Sequence, residues 1–397
     1  CVKISGMKLK FLFSLFSLLL LAALALAAYA APGAPPVSPL VGPLIAADDS
    51  RQDRITLYDL GTGAQRELTF GTGWHRVWDF SPDGCRILFT LSDGSAPASL
   101  YTANLDGSDA RQLVAASGGS GVWEPQWGAD RIAYTQIDPD GTEVGTHRIA
   151  WIDPNVSVPN AGQPNFYSVT GDEHTARWSP DRQWLVYASY EQRAAGADTF
   201  STAVPTQPGD LVTTLREADL WIVSADGSTK YRLTNFPVGS VTMPRWSPDG
   251  DLIGFVYSPA ANNDQFWMIG VSPDATPTQL SYEWVLALDL TWLPDSTAMI
   301  ASARDLQGIA ENRIWRVPLV GNADQNASQI ITDPALSYDD YPRYSPDGRF
   351  LALRSEYQLA LMTVADASWH WLDETSLGNT PPVWSPAAFA GEAACAV

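Results

Sequence analysis

The stretch MPRWSPDGDLIGFVYS, residues 243–258, decides the fold. An aromatic residue, a tight S-P-D-G turn and a following apolar run read as two short antiparallel strands. Pro presets the backbone of the second turn position, Asp bonds its own local backbone, and Gly takes a conformation that other residues resist. Near-copies recur as DFSPDGCRILFT at Phe80, PQWGADRIAYT at Trp127, ARWSPDRQWLVYAS at Trp178, LTWLPDSTAMIAS at Trp292, PRYSPDGRFLALRS at Tyr344 and PVWSP at Trp384. With Trp246 these seven aromatic anchors stand 47, 51, 68, 46, 52 and 40 residues apart. A repeat of that period suits four strands per unit.

A second signal runs in phase with the first. LYTANLDGS, LWIVSADGS, FWMIGVSPD and IWRVPLVGN place Tyr101, Trp221, Trp267 and Trp315 ahead of another turn, and edge strands such as RQLV, YRLT and TQLS follow. The unit is therefore one four-stranded antiparallel blade. Residues 44–70 hold the last three strands of a blade and lack an anchor strand, whereas TPPVWSP at 380–386 is an anchor strand with no blade after it. Joining the two ends in one blade predicts an all-β, seven-bladed propeller over residues 42–390; six or eight blades are the alternatives.

On these W-S-P-D-G repeats the chain resembles the TolB-type β-propeller family, across about residues 42–390. The resemblance implies the fold and not a role. TolB itself carries a separate α/β domain ahead of six blades, and no segment of that kind stands between the start of this chain and its repeats. Similar blades occur in the prolyl oligopeptidase family.

The N-terminal segment reads as a targeting signal. Lys8 and Lys10 follow Met7, an apolar run extends from Phe11 to Ala28, and Ala28-Tyr29-Ala30 marks a cleavage site that would leave Ala31. Residues 1–6 read as an upstream extension, 1–30 as the signal peptide, 31–41 as a Pro-rich linker and 391–397 as a tail. The expected destination is secreted or periplasmic; retention of the apolar run, long enough to span a bilayer, would instead give a membrane-anchored protein. With 24 Lys and Arg against 44 Asp and Glu, the net charge of −20 argues against a nucleic-acid partner. Of three cysteines, Cys85 and Cys395 lie beyond the signal. Whether they pair is left open by the sequence.

Seven copies of a turn are the wrong number for one active site, so the S-P-D-G aspartates Asp83, Asp181, Asp249, Asp295 and Asp347 are expected to be turn residues. Arg177, Arg245 and Arg343 directly precede their anchors. They could form a basic ring for an anion, but pairing with a blade carboxylate, such as the Asp of the same turn, is the favoured reading. Variable loops point to the opposite end of the anchor strands; the longest is 191–219. Just upstream of the anchors, near the expected channel mouth, lie His75, Arg76, Trp123, Glu124, His174, Thr242, Asp289 and Asp340, with Asp172, Glu173, Leu288, Asp339 and Thr380 beside them. This mixed set is the candidate ligand-binding mouth.

No G-x-S-x-G, H-E-x-x-H or C-x-x-C motif occurs, and His75, His147, His174 and His370 are scattered. The expectation is a monomeric binding module for a protein, carbohydrate or peptide ligand, with no cofactor and no metal. A channel-mouth carbohydrate lyase or hydrolase using His174, Asp289 and Asp340 is the alternative.

Overall fold

The computed structural model describes residues 38–395, apart from 50, 52, 95–96, 140–145, 156–163, 168–171, 191–217, 261–262, 284, 310, 334–335, 337, 374–377 and 379. The targeting segment and most of the long 191–219 loop lie outside the described residues.

Leu40–Val397 form one unit containing seven four-stranded antiparallel sheets. Blade 1 holds Leu44–Asp48, Ile55–Asp59, Gln65–Leu68 and the C-terminal strand Val383–Trp384, so the two ends of the chain share a blade as the sequence predicts. Blades 2 to 7 follow in order. Their first strands are Trp74–Phe80, Gly121–Trp127, Glu173–Trp178, Ser240–Trp246, Leu286–Trp292 and Asp340–Tyr344. Each touches the first strand of the next blade, and Val383–Trp384 closes the circuit between blades 7 and 2. These anchor strands therefore ring the central channel.

Sheets packed face to face around a ring bury apolar surface between blades rather than in one central core. Seven buried apolar clusters fill the seven blade junctions. The anchors fasten these junctions. The indole N–H of Trp246 donates to the Arg177 carbonyl of the preceding blade at 3.0 Å, that of Trp292 to Arg245 at 2.9 Å, and that of Trp384 to Arg343 at 2.9 Å. An indole matches this task because its ring fills the junction while its one donor reaches a backbone acceptor.

The S-P-D-G turns are held from within. The hydroxyls of Ser81, Ser179, Ser247 and Ser345 donate to Asp83, Asp181, Asp249 and Asp347 at 2.5, 2.5, 2.5 and 2.7 Å. Each of these carboxylates also accepts the backbone N–H two residues on. Gly84, Gly250 and Gly348 close their turns at φ of 75°, 82° and 70°, a region that costs glycine nothing.

The seam is short in strand pairing and rich in other bonds. Only Ile45↔Trp384 and Ala46↔Val383 pair across it. Leu44 N–H donates to the Ser385 hydroxyl, and Ser385 N–H returns a bond to the Leu44 carbonyl, both at 2.9 Å. Leu40 and Glu392 exchange a further pair at 2.8 Å each, and Glu392 also takes the Arg66 guanidinium. Cys85, in the blade 2 turn, is bonded to Cys395, which answers the question the sequence left open.

Asp48 lies at the mouth end of this seam, buried, and accepts the Thr380 hydroxyl. Burial pushes its carboxyl up to about 8, although the nearby Arg76 charge pulls the other way. A folded carboxyl that holds its proton more tightly than the unfolded one, at about 3.9, favours the fold at acid pH. That contribution is lost as pH rises from about 4 through about 8. Asp48→Asn, which keeps the shape without a charge, is therefore expected to gain stability over the wild type as pH rises through this window. The gain should grow by at most about 1.4 kcal/mol per pH unit across the window and level off above it. Thermal melts at matched pH values check it; a constant difference between the two proteins would show that Asp48 does not titrate there.

Candidate functional site

Along each anchor strand the side chains alternate between the blade interior and the channel side. Five residues before the anchors, His75, Glu173 and Asp339 are fully buried, as are the apolar Val122 and Val241 at the same position. His75 therefore sits inside blade 2 and not at the mouth. Its Nε2 accepts the Phe70 N–H and its Nδ1 faces the Gly73 carbonyl, each at 3.0 Å, so the ring pins the loop entering its own strand.

One residue on, the side chains come into view of solvent. Arg76, His174, Thr242 and Asp340 are partly exposed, Trp123 is exposed, and Thr380 is buried at the seam. Arg76 stacks over the Trp123 ring at 4.8 Å, and Trp78 meets Trp123 edge-on at 5.2 Å. On blade 7, Asp340 takes two bonds from Arg354 at 2.7 and 2.6 Å. The same guanidinium lies 4.7 Å from the Tyr341 ring and 5.3 Å from that of Tyr357. His174 leans on Tyr190 at 4.9 Å, with Nδ1 3.3 Å from the Thr175 hydroxyl.

A bulge then interrupts six of the anchor strands. Glu124, Thr175, Met243 and Tyr341 sit in it with φ near +50°. Bulges re-aim side chains. At this one, Glu124 receives Arg177 through two contacts of 3.3 Å, and just past it on blade 6 Asp289 receives Arg245 at 3.1 Å and Arg343 at 2.5 Å. The five side chains come from blades 3, 4, 5, 6 and 7 in succession. They form an arc of ion pairs in the channel throat, with Arg177 and Arg245 on adjacent blades between Glu124 and Asp289.

The arginines pair with blade carboxylates, as the sequence leads one to expect, and the structure corrects only which ones. None pairs with the aspartate of its own turn; each reaches a carboxylate of a neighbouring blade. Burial pushes the Glu124 carboxyl upward, but Arg177, helped by Arg245, overrides it and holds it below the ordinary range. Asp289 is held low in the same way by Arg343 and Arg245. Arg245 is pulled down to about 9 by burial and by the like charge of Arg177, with Arg343 adding to it and Asp289 opposing it.

The arrangement stacks Arg76 on Trp123 and joins Glu124 and Asp289 to the throat arginines, while Asp340 is bound to Arg354 and His174 rests on Tyr190. Asp289 and Asp340 are each occupied by arginine. Among the described residues, no three His, Cys, Asp or Glu side chains converge as metal ligands.

The remaining feature escaped the sequence reading. Among the described residues, the aromatic side chains that are strongly exposed are Trp74, Trp123, Tyr282, Tyr338 and Tyr357, between 40% and 62%. All five belong to starts of anchor strands, to connections between blades or to a loop between second and third strands. Alternating strand direction puts those positions at one end of the ring, the end away from S-P-D-G. Four of the five come from the anchor strands of blades 2 and 3, the loop leading into blade 7 or a loop within blade 7. Of the five, the sequence places Trp123 in the candidate mouth; Trp74, Tyr282, Tyr338 and Tyr357 are added by the structure.

No protein-family model matches the chain. Dipeptidyl-peptidase 5 of Porphyromonas gingivalis is 21% identical over 282 residues, covering 68% of this chain and 36% of that protein. A solved structure of prolyl endopeptidases matches with a TM-score of 0.58 at 12% identity, over 85% of this chain and 51% of that one. The TolB structure from Acinetobacter baumannii matches with a TM-score of 0.46 at 12% identity, over 86% of this chain and 66% of that one. The chain thus spans about a third of the peptidase and half of the endopeptidase. The likeness to the endopeptidase structure is one of fold.

Proposed function

We propose that this chain is an exported propeller that works as a binding module, taking a protein, peptide or carbohydrate ligand on the channel-mouth face. The observation that carries the reading is the segregation of exposed aromatics to that face. Solvent-exposed Trp and Tyr rings on a rigid scaffold give large contact area at little entropic cost, and exposed aromatic surface marks interaction sites. A catalytic reading gains nothing from the mouth, because Asp289 and Asp340 are each bound to arginine.

Export is supported by the Cys85–Cys395 bond, since disulfides persist in oxidising compartments. The A-x-A pattern at Ala28–Ala30 supports it from the sequence. The mass of the mature protein tests it, with Ala31 expected as the first residue. The binding reading is tested by titrating panels of oligosaccharides and peptides while following intrinsic tryptophan fluorescence. The Trp74→Ala/Trp123→Ala double variant is expected to weaken whatever binds by roughly tenfold or more. A ligand bound equally well by that variant, yet lost on changing the exposed Arg349 of the S-P-D-G face, would overturn the reading.

A further inference from the structure

We infer that the channel throat is a binding site for a small oxyanion, a carboxylate or phosphate group, held by Arg177, Arg245 and Arg343. Among the described residues, these three guanidinium groups pair with two carboxylates, Glu124 and Asp289, one positive charge more than the pairs balance, inside a chain whose net charge is −20. Both carboxylates are already engaged by arginine. The missing counter-charge is a single anion.

The arginine heads are positioned before any ligand arrives. Each turns back to donate Nη1 to the carbonyl of the residue before it, Ala176 at 2.7 Å, Pro244 at 3.1 Å and Pro342 at 2.7 Å. Bonds to described residues occupy only Nη1 and Nη2 of Arg177 and Arg245 and Nη1 of Arg343. A guanidinium carries five N–H donors, so each head keeps some in reserve. The three side chains are 15%, 17% and 20% exposed, so solvent reaches part of each. Planar guanidinium forks of this kind match the oxygens of carboxylate and phosphate. The like-charge pressure of Arg177 and Arg343 on Arg245 is what an anion between them would relieve.

The inference rests on the binding-module reading, and the two fail separately. Trp74 and Trp123 test the rim without touching the throat, whereas inorganic phosphate tests the throat without any rim ligand. Calorimetric titration of the mature protein with phosphate and with acetate, at constant ionic strength in chloride, is the experiment. Saturable binding of at least one of the two is expected. Arg245→Gln should weaken it by roughly tenfold or more, and Arg304→Gln, an exposed arginine of blade 6 outside the throat, should leave it unchanged. Should Arg245→Gln fail to fold, Arg177→Gln takes its place. Heats no larger than those of added chloride, or equal binding by wild type and the throat variant, would overturn the proposal.

Discussion

Replacing Asp289 with asparagine is expected to destabilise the fold by about 3 kcal/mol, the cost of breaking a buried ion pair by removing one partner. Asp289 is 5% exposed and is the carboxylate shared by Arg245 and Arg343. Asparagine keeps an acceptor for the Leu290 N–H, which Asp289 binds at 2.9 Å, so the local turn survives while two guanidinium groups lose their counter-charge. The throat would then hold three cations against Glu124 alone. Urea unfolding of the two proteins near neutral pH measures the difference, and an unchanged midpoint would mean that water already screens the ring.

The pH dependence of the same residue has a definite sign. Its folded carboxyl lies below the ordinary range despite burial, because Arg343 and Arg245 prefer it charged. Its contribution is therefore present above the unfolded value, about 3.9, and is lost as pH falls through the lower folded value. Wild type and Asp289→Asn should converge in stability in strong acid and stay apart at neutral pH. Phosphate should restore part of the variant's loss, since an anion would stand where the carboxylate stood. That recovery should be larger than any phosphate effect on the Arg304→Gln protein.

The fold was legible because its information is local. Each S-P-D-G turn is closed by bonds spanning two to five residues, so every repeat carries its own instructions. Seam closure was legible too, since residues 44–68 lack the strand that 383–384 supplies. The throat was not. Arg177 meets a glutamate 53 residues upstream, and Arg245 and Arg343 meet an aspartate 44 residues after the one and 54 before the other. Each separation is about one blade, a distance at which the sequence offers several equivalent carboxylates. Strand parity supplies part of the answer, because residues one and three before an anchor share a side, as Arg177, Arg245, Arg343, Glu124 and Asp289 do. Parity alone would put His75, Glu173 and Asp339, five before their anchors, on that side too; the intervening bulge resets the alternation and leaves them buried.

Cys395→Ser is expected to have the other large effect, a loss of about 3–5 kcal/mol from the chain-entropy model for a long closed loop. The bond joins residues separated by 310 positions and so constrains nearly the whole unfolded chain. It also acts where the ring is thinnest. Val383–Trp384 makes two registered pairs with Leu44–Asp48, against five between Leu44–Asp48 and Ile55–Asp59. The remaining clasps, Ser385 with Leu44 and Glu392 with Leu40 and Arg66, all lie on the C-terminal segment that the disulfide holds in place. In the variant that segment should fray first, with amide exchange rising in 44–48 and 383–384 before it rises in blades 3 to 6. The melting temperature should fall on the order of 5–10 °C, and wild type in reductant should match the variant. Equal melting of oxidised wild type and variant would show that the non-covalent clasps suffice. A seam that needs the bond ties the fold to an oxidising surrounding, so the same melt bears on where the protein can work.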